Sequence, residues 1–339
     1  MTSFENHLKD VEQGSVLEQK SMEDVMQTIM NGDADDTQIE TLLRSLSGRG
    51  EAVSEITGAA TIMRKMASTI KAPENALDCC GTGGDGSGTY NISTAVALVA
   101  ASCGIPIAKH GNRAASSKSG AADVLEALGV NLDVLPDRLE TALKKFNFCF
   151  LMAPHHHQAM KHVMPVRKKI GERTIFNLLG PLANPARTKY QLIGVYDKKW
   201  VRPMAEVLKN LGTKSAWVVH GHDGLDEITV TAPTSVAILY EGEIKECTIT
   251  PDDFGLNLAK PEDLKGGNAE QNAEALLDLL KGKKSAYRDI VLANTAAVLA
   301  ISGQVDDLKK GVKLASENIY NGSVHNNLYD YIKFTNELN

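Results

Sequence analysis

Cysteine is scarce in this chain, and the few that occur form no framework. Cys79, Cys80, Cys103, Cys149 and Cys247 are an odd number with no CxxC pair, which argues against a disulfide scaffold or a zinc ribbon and suits a reducing compartment. No run approaches the roughly 20 apolar residues of a membrane-spanning helix, and the opening residues MTSFENHLKD hold no apolar core of the kind a secretory signal needs. A cytoplasmic location without membrane contact is therefore expected. Positive charge is also in short supply: 36 Lys and Arg stand against 42 Asp and Glu, a formal net charge of −6. Affinity for a phosphate backbone needs massed cations, so nucleic acid is not an expected partner, and any polyanionic ligand must be held by a local basic cluster. Internal repeats and low-complexity linkers are missing as well. What remains is 339 residues, 43% hydrophobic and 23% charged, enough for two domains with a full-sized core.

The first 70 residues read as helix. Thr37 with Glu40 three residues on forms a capping-box pattern, and Ile39, Leu42, Leu43 and Leu46 follow at helical spacing until Gly48 and Gly50. Val25, Met26, Ile29 and Met30 form a similar stripe, as do Ile56, Ala59, Ala60, Met63 and Met66. Methionines at this spacing are core residues of a small bundle. From residue 76 strands alternate with helices, with strands expected at 76–80, 105–108, 148–152, 191–196 and 216–220 and helices at 121–128 and 201–211. This alternation implies a mostly parallel sheet covered on both faces. The stretch from Val166 to Pro185 lacks strand pattern and carries the loop GPLANP, so the chain is expected to leave the sheet there and rejoin the bundle. Residues 229–249 read as β-rich (TVTAP, VAILY, ECTIT) around a Glu241-Gly242 turn, and the C-terminus as helical.

Three segments carry chemistry. Residues 81–94, GTGGDGSGTYNIST, place five glycines in the first eight positions. Ser93 and Thr94 read as N-caps of the apolar helix that follows, so strand, glycine loop and helix N-terminus make a phosphate cradle. Gly81, Gly83 and Gly86 match GxGxxG, but the second strand ends in Lys109-His110 where a dinucleotide fold needs an acid, and no GK[ST] ending completes a P-loop. Residues 109–120, KHGNRAASSKSG, supply Lys109, Arg113 and Lys118 with hydroxyls and the amide of Asn112. Alone they could be a solvated basic loop; beside the first loop, at the C-terminal edge of a parallel sheet, they suit a ligand bearing several phosphates. The third segment, DGLDE at 223–227, would be an ordinary solvated turn in isolation. Next to a polyphosphate cradle its Asp226-Glu227 pair can hold Mg²⁺, with the Ser93 hydroxyl as a further oxygen. His155, His156 and His157 cannot all reach one ion, and no HExxH accompanies them, so they are expected beside the site without metal. Arg167 has two readings, a solvated helix position or a bidentate grip on a substrate carboxylate.

These segments, together with HHHQAMKHVMPVRKKIGERTIFNLLGPLANPA, resemble the anthranilate phosphoribosyltransferases, and the likeness spans most of the chain. The resemblance implies an α/β fold with a small N-terminal helical domain and a larger α/β domain with a mostly parallel central sheet, of the nucleoside-phosphorylase type. It divides the chain into a helical domain at 1–72 with an inserted segment at about 166–187, and an α/β domain at 73–165 and 188–339. It implies Mg²⁺-dependent transfer of the phosphoribosyl group of 5-phosphoribosyl 1-pyrophosphate (PRPP) to anthranilate, in tryptophan biosynthesis, by a homodimer joined through the helical domains. PRPP would be held by Gly81, Gly84, Asp85, Thr89, Asn91, Ile92, Ser93 and Thr94, with Lys109, His110, Gly111, Asn112, Arg113, Ala114, Ala115, Ser116, Ser117 and Ala121 closing on it. Gly81, Asn112 and Arg167 would contact anthranilate, Ser93, Asp226 and Glu227 would carry the metal, and Lys109, Asn112 and Arg167 would be the catalytic set. No general base is assigned. Two other readings stay open: a related transferase or phosphorylase acting on another aromatic or nucleobase acceptor, and a non-catalytic relative that binds nucleic acid.

Overall fold

The structure, a computed structural model, describes residues 2–114 and 118–337. Ala115, Ser116 and Ser117 lie outside the described residues. Four helices open the chain, Ser3–Glu12, Gln19–Asn31, Asp36–Arg49 and Val53–Met66. Their stripes face inward: Met22, Val25, Met26, Ile29, Leu42, Leu43 and Leu46 are all essentially inaccessible. One charged group accompanies them, Glu55, whose carboxylate accepts from the Leu17 and Ala52 amides at 3.0 and 2.9 Å and from Arg49 Nη1 at 3.0 Å. Such full satisfaction is what makes a buried carboxylate tolerable.

The capping reading of the third helix needs correction. Asp35, not Thr37, is its N-cap: the Asp35 carboxylate accepts from the Gln38 amide at 2.9 Å and the Gln38 side chain returns the bond to Asp35 N–H at 3.0 Å. Thr37 is already inside the helix, and Glu40 pairs with Arg44 and Lys169. Both patterns satisfy the same spacing rule, and the one that starts earlier captures the first free amides.

Seven strands form one sheet: β1 Leu77–Gly81, β2 Ile107–Gly111, β3 Phe148–Met152, β4 Tyr190–Gly194, β5 Ser215–Gly221, β6 Thr234–Tyr240 and β7 Glu243–Ile249. Their order is β3-β2-β1-β4-β5-β6-β7. The first five are mutually parallel, and β6 and β7 add an antiparallel edge. Glu241 and Gly242, at φ 47° and 83°, make the tight turn between β6 and β7 as expected. TVTAP is not a strand; its Thr229 and Thr231 hydroxyls staple the preceding loop through Asp223. β-branched composition alone misled there, because local hydroxyl-to-carboxylate bonds compete with strand pairing.

Alternation along the strands splits the core in two. Leu192 packs with the helices Ile92–Ser102 and Ala286–Ile301 on one face, while the neighbouring Ile193 joins a core shared with the helix Val201–Asn210 and the N-terminal bundle. The helices Met164–Ile170 and Ile175–Leu179 also pack into that second core, against the third and fourth helices of the bundle. The segment after them is tied back to the sheet. Asn184 Nδ2 donates to Asp78 Oδ2 at 2.7 Å and to the Ala108 carbonyl at 2.8 Å, and Gln191 Nε2 donates to the Pro181 carbonyl at 2.8 Å. GPLANP thus lies against β1, β2 and β4.

The cap assignment is tested by urea denaturation. Asp35→Ala is expected to cost about 1 kcal/mol, and Thr37→Ala to stay within about 0.5 kcal/mol. The reverse order would restore Thr37 as the cap.

Candidate active site

The strand order turns at β1: the chain goes to β2 on one side and later returns to β4 on the other. A crevice opens outside the carboxyl ends of strands at such a switch point, and here the two strands end in glycine, Gly81 paired with Gly194. Both glycines are required by what lies over them. A Cβ on Gly194 would fall 1.5 Å from the Asp226 carbonyl oxygen, and one on Gly81 would fall 2.2 Å from Asp226 Oδ2. That carboxylate oxygen accepts from Gly83 N–H at 2.8 Å. Asp226, delivered by the loop after β5, is therefore seated in the glycine loop.

The loop is held from several directions. Its Thr82 hydroxyl accepts from Tyr196 N–H at 3.0 Å, Asp85 accepts from the Ser87 hydroxyl at 2.6 Å, and Arg173 donates to the Gly84 carbonyl while its guanidinium lies 3.9 Å over the Tyr196 ring. Asn91 accepts from the Ser119 hydroxyl at 3.2 Å and from Asn272 Nδ2 at 2.9 Å. The following helix begins at Ile92 with Asn91 at the cap position, so Ser93 and Thr94 lie inside the first turn and are not N-caps. The Ser93 hydroxyl accepts instead from Lys109 Nζ at 3.1 Å.

Lys109 and His110 are strand residues, since β2 runs on to Gly111; the expected strand end at 108 is too early. A lysine reads as a loop residue because a buried ammonium is costly, yet Lys109 is 1% exposed and donates to the Cys79 carbonyl at 2.7 Å as well as to Ser93. Successive strand side chains take opposite faces, so Lys109 sits under the glycine loop and His110 faces GPLANP. There His110 Nδ1 lies 3.1 Å from the Gly180 carbonyl and its ring packs 5.2 Å from that of His157. Burial holds both imidazoles neutral, pushing His110 down to about 3 and His157 to about 4. Each presents a buried Nε2 with no hydrogen-bond partner among the described residues.

A cavity of about 630 Å³ gathers these parts. Of the predicted residues, Gly81, Gly84, Ser93, Lys109, His110, Gly111, Asn112, Arg113, Ala114, Ala121 and Arg167 line it. Asp85, Thr89, Asn91, Ile92, Thr94, Asp226 and Glu227 do not; they stand behind the glycine loop or brace it. Arg113 is turned outward onto Asp123 and Glu126. His157 lines the opposite wall, beside the site as expected; the rest of that wall was missed by sequence reasoning, since Phe176, Asn177, Gly180 and Pro181 come from the aperiodic stretch after β3, where only the density of Asn and Pro hinted at it. On that wall Arg167 lies half-buried, its guanidinium 5.4 Å over the Phe176 ring, with burial lowering its pKa. It has no carboxylate partner among the described residues, so a cation backed by an aromatic face is left for an aromatic acid.

Behind the glycine loop stand charges of opposite sign. Burial, with Asp85 close by, raises Asp226 to about 7, and burial with Asp226 beside it pushes Glu227 well above the carboxylate range. Among the described residues no three His, Cys, Asp or Glu side chains close into a chelate. An all-oxygen pair with mutual repulsion fits a hard dication that takes one or two protein carboxylates and completes its shell with phosphate oxygens and water.

Two family models cover the chain: the helical bundle domain of a glycosyl transferase family over residues 6–67, and the a/b domain of a glycosyl transferase family over residues 73–325. The chain is 51% identical over 339 residues to the anthranilate phosphoribosyltransferase of Parvibaculum lavamentivorans, covering 100% of this chain and 99% of that one. It is 53% identical over 336 residues to that of Azospirillum brasilense, covering 99% and 94%. Among solved structures, the anthranilate phosphoribosyltransferase of Thermus thermophilus superposes with a TM-score of 0.92 at 42% identity, covering 97% of this chain and 98% of that one. The Saccharomyces cerevisiae enzyme in complex with PRPP and Mg gives 0.90 at 28% identity, covering 99% and 98%.

The raised Asp226 pKa sets a stability prediction for the metal-free protein. A carboxyl that holds its proton more tightly folded than unfolded stabilises the fold below its unfolded pKa, and that stability falls as pH rises through the window up to about 7. Melting temperature is therefore expected to drop between about pH 4 and about pH 7, with Asp226→Asn flattening the drop. An equal drop in the variant would place the titration elsewhere.

Proposed function

The chain belongs to the anthranilate phosphoribosyltransferases, and from that premise we propose that it transfers the phosphoribosyl group of PRPP to the amino group of anthranilate, giving N-(5-phosphoribosyl)anthranilate and pyrophosphate. The observation that carries this reading is the polarity of the cavity at the switch point. A glycine loop and Lys109, backed by the Asp226-Glu227 pair, form one end, and Arg167 over Phe176 forms the other. A polyanion and an aromatic carboxylate thus have separate berths that meet near Gly81 and Asn112.

The PRPP berth comprises Gly81, Gly84 and Ser93 at the cavity wall, with Asp85, Thr89, Asn91, Ile92 and Thr94 bracing it and Lys109, His110, Gly111, Asn112, Arg113, Ala114 and Ala121 beside it. Amides of the loop and of the helix start bind phosphate oxygens directly, because glycine brings no side chain between backbone and ligand. Ser93, Asp226 and Glu227 are the residues that would hold Mg²⁺, which when bound supplies neutralisation of a departing pyrophosphate. Lys109 adds a fixed ammonium from below, already desolvated and oriented by Cys79 and Ser93. Arg167 and Asn112 orient anthranilate so that its amine faces C1 of the ribose, converting encounter into a positioned displacement. The amine is a weak base, so its proton can pass to pyrophosphate or water after the C–N bond forms. Neutral His110 and His157 leave the acceptor wall without competing charge. Resemblance supports a cytoplasmic homodimer joined through the helical domains, and a helical domain at 1–72 with 166–187 inserted.

Anthranilate is fluorescent, so mixing it with protein, PRPP and Mg²⁺ is expected to give a decay of that signal; a flat trace would overturn the assignment. Arg167→Ala is expected to raise the KM for anthranilate about tenfold to a hundredfold, the worth of a charge-assisted hydrogen bond. The KM for PRPP should stay within about threefold. Equal losses for both substrates would remove Arg167 from the carboxylate berth.

A further inference from the structure

On the opposite edge of the sheet lies a second cavity, of about 650 Å³. Its walls are the segments that lead into β4 and β5, at residues 187–189 and 210–213, together with Gln19 at the start of one bundle helix and Thr61, Arg64 and Lys65 near the end of another. Four cations line it, Arg64, Lys65, Arg187 and Lys189, and no carboxylate does. None of the four forms an ion pair among the described residues. In a chain of net charge −6, four unpaired cations around one hollow are a local inversion of the whole.

The innermost of them is Arg64. Its Nε donates to the Leu182 carbonyl at 2.5 Å and its Nη1 to the Leu211 carbonyl at 3.3 Å, which fixes the guanidinium plane and leaves further N–H groups over. Burial, with the like charge of Arg187 beside it, brings its pKa down to about 10. Arg187 itself is held in a left-handed conformation, φ 51°, in the turn that follows Asn184. Two hydroxyls complete the wall: Thr188 and Thr213 are 5% and 7% exposed, and neither Oγ1 has a hydrogen-bond partner among the described residues. Buried hydroxyls without partners, beside a half-buried guanidinium without a counter-ion, leave an unfilled acceptor requirement, and the exposed Lys65, Arg187 and Lys189 stand around the mouth.

We propose that this cavity is a second ligand site, for a small phosphate-bearing polyanion. Phosphate fits better than a carboxylate because it offers enough acceptor oxygens to engage a planar guanidinium, ammonium groups and two hydroxyls together. The volume exceeds that of one phosphate and falls in the range of metabolite-sized pockets, so the rest of the ligand is of sugar-phosphate or nucleotide size. The site shares a wall with the catalytic cavity. Arg64 grips Leu182, whose neighbours Pro181 and Ala183 line that cavity, and Met63, next to Arg64 in the helix, lines it too.

The test is a calorimetric titration of inorganic pyrophosphate into the full chain, without divalent cations and at low salt. Arg187→Asn/Lys189→Gln keeps a residue suited to the left-handed turn and removes two cations. It is expected to weaken a binding event at least about tenfold while anthranilate consumption stays unchanged, which also reports an intact fold. Lys144→Gln/Lys145→Gln, with the same change in net charge on the helix Pro136–Phe146, is expected to leave the isotherm as in the wild type. An isotherm unaltered by the cavity variant, or weakened equally by the control, overturns the site.

Discussion

The seating of Asp226 against Gly81 and Gly194 is the contact on which the catalytic end of the molecule depends. Two adjacent parallel strands end without side chains at the same level, and the peptide and carboxylate of Asp226 occupy the space this leaves. That arrangement carries the loop after β5 over the switch point and places an acidic pair behind the glycine loop. It also fixes the first turn of that loop through Gly83. A methyl group at either strand end would displace Asp226, and with it the link between phosphate cradle and carboxylates.

Charge is arranged around this contact in layers. Lys109 lies beneath the loop and Asp78 within β1, both buried, with the half-buried Asp226 and Glu227 above, and Lys109 is within electrostatic reach of both Asp78 and Glu227. Hydrogen bonds from Asn184 and the His110 amide hold Asp78, and Asn184 belongs to the segment that left the sheet. The bundle-side excursion is thus anchored at the charged centre of the α/β unit. The same segment delivers the acceptor wall, so the two berths are built on one hydrogen-bonded frame.

Much of this was legible in the sequence wherever a periodic signal existed. Strand 148–152 was read with its observed bounds, and β1 and β4 came within one or two residues at each end, because buried parallel strands are short continuous apolar runs. The glycine loop, the Lys109 segment and DGLDE announced their chemistry through composition. Features set by three-dimensional context were not legible. Thr37 and Asp35 offer equivalent caps, and only the helix start distinguishes them. Lys109 looks like a loop residue until its carbonyl and hydroxyl acceptors are seen. Phe176, Asn177 and His157 carry no spacing that marks them as neighbours of Arg167, and Arg173 gives no sign that it will pin Gly84. Which predicted residues line the cavity and which brace it is likewise a matter of side-chain direction, and in a loop spacing does not encode that.

Cys80 lines the catalytic cavity and Cys79 lies directly beneath it, yet both are poor nucleophiles. Burial pushes Cys79 up to about 12, and burial together with neighbouring Asp78 carries Cys80 well above its ordinary value. Since the thiolate is the species that meets electrophiles, these two thiols are chemically quiet. Alkylating agents that silence thiol-dependent enzymes would find little thiolate to attack at this end of β1.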